Sequence, residues 1–176
     1  MKKSNPLKKN QTWRLVVLPV GAKKIEVKWI YKTKINELGE VDKHKARLVV
    51  KGYTQDNGID YTEVFAPVAR MDTVRMIIAF ATQKGWKLYQ LDVKSASLHG
   101  ELKEDVFVEP PKGYEKKGSE QMVYKLQKAL YELKQTPRAW FSRIESYFIK
   151  EGFKSSSNEQ TLFIKKKGGK LLIMSI

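Results

Sequence analysis

Asp92 closes the apolar run Trp86-Lys87-Leu88-Tyr89-Gln90-Leu91-Asp92-Val93. An aspartate at such a place is ordinarily a turn or cap residue. The functional alternative is a hard oxygen ligand for a divalent cation. Lys45, Arg47 and Lys51 recur at close spacing and could clamp a triphosphate, although a solvated hairpin tip carries such residues more commonly. Trp29, Tyr31 and Trp140 could stack bases, but aromatics at alternating or helical spacing are more often core. Other chemistries drop out. The chain has no cysteine, which removes disulfides, thiolate metal sites and cysteine nucleophiles. His44 and His99 lie far apart without metal-ligand spacing and read as surface or loop histidines. Ser95 and Ser97 lack the glycines of a nucleophile elbow, and no glycine-rich phosphate loop is present.

These residues must be held by strands and helices whose periods are readable. From Lys24 to Ile35, Ile25, Val27, Trp29, Tyr31, Thr33 and Ile35 alternate with Lys24, Lys28, Lys32 and Lys34. Period two predicts a half-buried strand. Asn36-Glu37-Leu38-Gly39 supplies a turn, and a second strand near Lys45 to Lys51 completes a long hairpin with lysines on one face. Residues 1–22 read as an extended lead-in, and Gly58 marks a turn. Asp72 can cap a helix carrying Val74, Ile77, Ile78 and Ala81, which Gly85 ends. Trp86 to Val93 then reads as a buried strand. Residues 106–111 form a short strand stopped by Pro110-Pro111, which cannot join a central ladder. Glu115 to Gln121 is a polar loop, and Val123 to Leu126 a short strand. After Pro137, Trp140, Ile144, Tyr147 and Phe148 give a helix with one aromatic face, ended by Gly152. Thr161 to Lys167 and Lys170 to Ile176 flank Gly168-Gly169, the dipeptide of a tight hairpin. Strands and helices without regular βαβ alternation read as α+β.

A length of 176 residues suits one domain or a fragment of a larger one. The formal net charge of +15 with 41% apolar residues is too hydrophobic for a disordered basic tail and too basic for an average enzyme. Both ends are basic, +10 over residues 1–54 and +7 over 123–176, around a middle of −2. That distribution points to a phosphate-tracking surface beside a site that holds cations. The apolar runs are too short for a membrane span, and no apolar core follows the N-terminal lysines as in a secretory signal. The expectation is therefore an intracellular protein of cytoplasm or nucleus, without membrane contact.

Taken in order, Lys28-Trp29, Lys45-Ala46-Arg47-Leu48-Val49, Lys51-Gly52-Tyr53-Thr54-Gln55, Gly58-Ile59-Asp60-Tyr61 and Phe65-Ala66-Pro67-Val68 form a pattern. It continues through Gln90-Leu91-Asp92-Val93-Lys94-Ser95-Ala96, Leu98-His99-Gly100 and Leu133-Lys134-Gln135-Thr136-Pro137-Arg138-Ala139-Trp140. In this the chain closely resembles the reverse transcriptase of copia-type retrotransposons, from about Asn10 to Ile176. The resemblance implies a right-hand polymerase with fingers at 23–85 and 100–135 and a partial palm at 86–99 and 136–176. It implies an RNA template, a DNA primer and deoxynucleoside triphosphates as partners, and two Mg²⁺ ions as cofactors of nucleotidyl transfer in the intact family. Asp92 would then be a catalytic metal ligand assisted by the Val93 carbonyl. Lys45, Arg47 and Lys51 would lie where the fingers grip the triphosphate. Glu132, Lys134, Gln135, Pro137 and Arg138 would form the loop near template and nucleotide.

Three departures accompany the match. The family's other two carboxylates come from a Tyr-Val-Asp-Asp turn following the strand that ends here at Ile176, so a truncated chain without polymerase activity is expected. Ser97 stands where the family has a phenylalanine that, by analogy with retroviral relatives, blocks the ribose 2′ hydroxyl. Glu132 stands where the family has glycine, and its carboxylate would repel phosphate. The rival expectation is a non-catalytic module binding RNA or an RNA–DNA duplex.

Overall fold

The computed structural model describes residues 11–115, 118 and 121–176. Among them the elements run β1 (Trp13–Val17), β2 (Lys24–Ile25), β3 (Val27–Ile35), β4 (Val41–Val50), α1 (Met71–Lys84), β5 (Phe107–Val108), β6 (Met122–Leu126), α2 (Thr136–Lys150), β7 (Lys154–Ser155), β8 (Leu162–Lys167) and β9 (Lys170–Ser175). Short 3₁₀ turns cover Gly52–Thr54 and Ala96–His99. The mixed α+β class expected from the sequence holds.

The alternating lysine stretch becomes the β3–β4 hairpin, antiparallel from Val27↔Val50 to Lys34↔Lys43, with the register shifting at Ile35. Its turn is built as Asn36-Glu37-Leu38-Gly39 implied. The Asn36 carboxamide oxygen accepts from the N–H groups of Leu38 at 3.0 Å and Glu40 at 2.9 Å. Gly39 takes φ +81°, a left-handed conformation that glycine adopts without strain. At the root, Leu48 and Val50 enter the main core with Ile25, Val108, Leu126 and Leu130. Each such side chain, once buried, stabilises by about 1.5–3 kcal/mol, so the hairpin grows from a fixed base.

A four-stranded sheet, ordered β1-β6-β5-β2, lies beside that base, and a three-stranded sheet, β7-β8-β9, follows α2. The second core is aromatic: Phe148 of α2 meets Phe153 and Phe163 at ring separations of 5.4 and 5.0 Å. Gly168 and Gly169 both take positive φ in the β8–β9 turn, as their dipeptide implied.

Several expectations need correction. Residues 1–10 of the predicted lead-in, and 116, 117, 119 and 120 of the predicted polar loop, lie outside the described residues. Residues 13–17 are no lead-in but a strand paired along its length with β6, because Trp13 stacks on Tyr124 at 4.6 Å. The strand before Pro110 occupies an interior place, between β6 and β2, by stopping at Val108 before the prolines could interrupt the ladder. Asp72 lies in the first turn of α1, and Arg70 holds the cap position. In α2 the buried residues include Phe141 and Phe148 while Tyr147 is 54% exposed, so the helix is rotated from the predicted aromatic face.

The largest difference is Trp86–Val93. It forms no strand, and Tyr89 and Leu91 are 79% and 78% exposed. Gly85, at φ +65°, caps α1 and turns the chain out, with the Trp86 N–H donating to the Ala81 carbonyl at 2.8 Å. Trp86 to Leu88 then line a groove of about 590 Å³ shared with Ile77, Phe80 and residues 169–173 of the β8–β9 hairpin. The run makes no ladder there. An apolar run becomes a buried strand only where a sheet edge and a second layer meet it, and among the described residues neither does.

Candidate functional site

Cross-strand register decides which hairpin face is functional. Directly opposed residues in an antiparallel pair share a face. Ile30 opposes Arg47, Lys32 opposes Lys45 and Lys34 opposes Lys43, and Lys28 continues the row. Six cations, Lys28, Lys32, Lys34, Lys43, Lys45 and Arg47, therefore stand on one face. The other face carries Trp29, Tyr31, Thr33, His44, Ala46 and Leu48. Like charges directly opposed destabilise a hairpin. Lys45 registers its same-face neighbours: foremost the Arg47 guanidinium, then partial loss of water, then Lys34 and Lys43, hold its ammonium below the usual lysine range. One opposing influence is the carboxylate of Asp92, close enough to pull in the other direction.

Lys45, at least, therefore lies within electrostatic reach of Asp92. That residue is exposed on the irregular run after α1, immediately ahead of the 3₁₀ turn. The Val93 carbonyl, expected to assist a metal, accepts from the Ala96 N–H at 3.3 Å. Ser95 takes φ +56°, bending the chain so that Leu98 is buried and Ser97 stays partly exposed. Gly100 closes the turn against α2, where an added Cβ would lie 2.7 Å from the Trp140 nitrogen. The 3₁₀ turn carrying Ser97 is thereby seated on α2, with the His99 ring also lying against Trp140.

The predicted loop residues divide into two groups. Gln135 is buried: its carboxamide donates to the Asp60 carbonyl at 3.0 Å and accepts from the Gln55 Nε2 at 3.1 Å. Gln55 in turn accepts the Lys134 N–H at 2.8 Å. Pro137 lies in the first turn of α2, where its missing N–H costs nothing. Arg138 pairs with Glu63 at 3.1 Å. These three build the loop rather than present it. Glu132 and the Lys134 side chain are exposed. Glu132 adopts φ +68°, a left-handed conformation that glycine, expected here from the resemblance, would take without strain. The Glu132 carbonyl also packs on Gly52, whose hypothetical Cβ would fall 1.9 Å from that oxygen.

Of the three finger cations, Lys51 is set apart. Its ammonium is hydrogen-bonded to the Glu26 carboxylate, which raises the lysine's pKa and lowers the glutamate's. Lys45 and Arg47 form no ion pair among the described residues, and Arg47 sits over the Tyr131 ring, 5.7 Å from its centroid. Sequence reading missed Tyr131, Gln55, Asp60 and Lys23. Lys23 donates to the Thr54 carbonyl and to Asp56, both at 2.6 Å, and reaches Asp60 at 3.7 Å. The partners lie some 30 to 80 residues apart, so no local spacing could reveal them; only the alternation that put Lys28, Lys32 and Lys34 on one face was readable. Tyr31 is 76% exposed, but on the face away from Arg47. His44 bonds to Thr33 at 3.1 Å, and His99 lies against Trp140.

Two Mg²⁺ ions need several converging carboxylates. Among the described residues no group of three or more aspartate, glutamate, histidine or cysteine side chains could hold a metal ion. Asp92 supplies a single carboxylate, so the residues present do not fit a two-metal centre. No helix among them is long and apolar enough to cross a membrane.

With this α+β fold and cationic hairpin, the chain belongs to the reverse transcriptase (RNA-dependent DNA polymerase) family, whose model matches residues 10–176. Within that family it is a reverse transcriptase domain of the copia-type Pol polyproteins. It is 40% identical over 160 residues to the retrovirus-related Pol polyprotein from transposon TNT 1-94 of Nicotiana tabacum, covering 91% of this chain and 12% of that protein. It is 39% identical over 168 residues to the corresponding polyprotein from transposon RE1 of Arabidopsis thaliana, covering 95% and 12%. A Gag-Pol polyprotein of the yeast transposon Ty1-ER2 shares 31% over 113 residues, covering 61% of this chain and 6% of that one. The chain thus spans about one eighth of the length of its plant relatives. No solved structure matches it.

Proposed function

We propose that this chain forms the fingers and first palm segment of a right-hand RNA-directed DNA polymerase. It would grip deoxynucleoside triphosphate and primer–template through the β3–β4 face. The observation that carries this is the six-cation face of the hairpin, on which Lys45 lies within electrostatic reach of Asp92. Lys45 and Arg47, free of carboxylate partners among the described residues, are the triphosphate contacts. Lys51, held by Glu26, supports the hairpin root. Asp92 contributes one of the carboxylates used by the intact family, Ser97 stands at the sugar of the incoming nucleotide, and Lys134 and Glu132 border the templating base. RNA template and DNA primer are the proposed partners.

These residues do not fit a two-metal centre, so the proposal extends to inactivity: the 176-residue chain binds without polymerising. That condition also favours a second reading, a non-catalytic module for RNA or an RNA–DNA duplex. Primer extension by the purified chain with Mg²⁺ or Mn²⁺ tests the first point, and template-dependent synthesis would overturn it. Filter binding of an RNA–DNA duplex across a salt series tests the binding shared by both. A steep log–log slope is expected, and no binding at low salt would eliminate both readings.

A further inference from the structure

Arg47 differs from every other cation on the hairpin face. Lys28, Lys32, Lys34, Lys43 and Lys45 are exposed, whereas Arg47 is half-buried and its guanidinium lies over the Tyr131 ring at 5.7 Å, within the range of a cation–π contact. Tyr131 is itself fixed. Its ring packs on the main core, its carbonyl accepts the Val50 N–H at 3.0 Å, and it bridges to Val49 in β4. Just beyond it, Glu132 is turned by its positive φ and locked against Gly52. The Lys134 N–H is fastened to Gln55. The aromatic plate under Arg47 is therefore set in rigid backbone on both sides.

We propose that Tyr131 is a positioning residue: its ring holds the Arg47 guanidinium flat, with the N–H fork open on the cationic hairpin face beside Lys45, where it takes a triphosphate. This deepens the polymerase reading given above and rests on it. The chemistry favours arginine for the task. A planar guanidinium stacks on a ring while offering paired donors to phosphate oxygens, which an ammonium does not do. Arg47 has no carboxylate partner among the described residues, so stacking rather than an ion pair sets its direction, and its full charge remains for the ligand. Lys45, with its proton affinity lowered mainly by Arg47, gains from the same anion.

The test separates positioning from mere folding. In the full chain, the Arg47 side-chain Nε–H resonance is followed by NMR in wild type, Tyr131→Phe, Tyr131→Leu and Arg47→Ala, and deoxythymidine triphosphate is titrated into each. The expected result is a ring-current shift of the Arg47 signal in wild type and Tyr131→Phe that disappears in Tyr131→Leu. Triphosphate affinity should fall about two- to fivefold in Tyr131→Leu, the range of an exposed cation–π contact, and be retained in Tyr131→Phe. In the Arg47→Ala background, Tyr131→Leu should produce no further loss. Binding that weakens equally with and without Arg47, or an Arg47 signal indifferent to the ring, overturns the positioning role while leaving the triphosphate site standing. A wild-type chain that binds no triphosphate up to millimolar concentration overturns both.

Discussion

Replacing Glu132 by glycine should stabilise the protein, and the size follows from one backbone angle. Glu132 sits at φ +68°. For a residue with a Cβ the left-handed region costs about 1–2 kcal/mol. The side chain is exposed, so its removal sacrifices no packing. Glycine gives back part of the gain, about 0.5–1 kcal/mol, through the greater freedom of the unfolded chain. The net expectation is a gain of about 0.5–1 kcal/mol, or a rise in Tm of roughly 1–4 °C for a chain of this size. Glu132→Ala is the decisive control. It removes the same carboxylate but keeps the Cβ, so its Tm should not rise. Thermal unfolding followed by circular dichroism reads both. Equal Tm values for the alanine and glycine variants would mean that the backbone at Glu132 is unstrained, and the reasoning from φ would be refuted.

Other perturbations test neighbouring parts of the same architecture. Gly52→Ala drives a Cβ into the Glu132 carbonyl, so urea unfolding should show a loss of about 1–3 kcal/mol. Gln55→Leu strips the Gln135 oxygen of its donor and the Lys134 N–H of its acceptor. A loss of about 1–3 kcal/mol is expected by the same method, and a neutral result would show that the buried carboxamides are not coupled. Glu159 concerns acid stability. The Thr161 hydroxyl, and after it Thr73 and Arg70, hold its carboxyl below the usual range, with loss of water opposing. A folded-state pKa below the unfolded one contributes stability that is complete above the unfolded value, near 4.5, and is lost as pH falls through the folded value. Glu159→Gln should therefore flatten the acid limb of a Tm–pH curve, and an unchanged limb would remove Glu159 from the account.

The lysine hairpin was legible because period two survives in any sheet: Lys28, Lys32 and Lys34 fell on one face before any partner was known, and pairing added Lys43, Lys45 and Arg47. The Gly168-Gly169 turn was legible for a similarly local reason. Trp86–Val93 was not. Its composition describes a strand, but burial depends on a covering layer that local sequence does not encode, and the described residues provide none. Gln135 illustrates the opposite error. Its place in a motif suggested contact with ligand, whereas its partners Gln55 and Asp60, 80 and 75 residues away, draw it inside. Glu132 stood out by identity alone, and its strain became visible only with the backbone.

The central claim is that the β3–β4 cationic face, rather than the basic β8–β9 tip, carries the nucleic acid. Salt dependence of RNA–DNA duplex binding measures it directly, by comparing wild type with Lys28→Gln/Lys32→Gln/Lys34→Gln, on the same face but outside the triphosphate contacts, and with Lys166→Gln/Lys167→Gln/Lys170→Gln. Each lost phosphate contact lowers the log–log slope by about 0.9. The hairpin triple variant should therefore lose roughly 2 to 3 in slope while the tip variant keeps the wild-type value. An unaltered slope in the hairpin variant, with the loss appearing at the tip, would contradict the account.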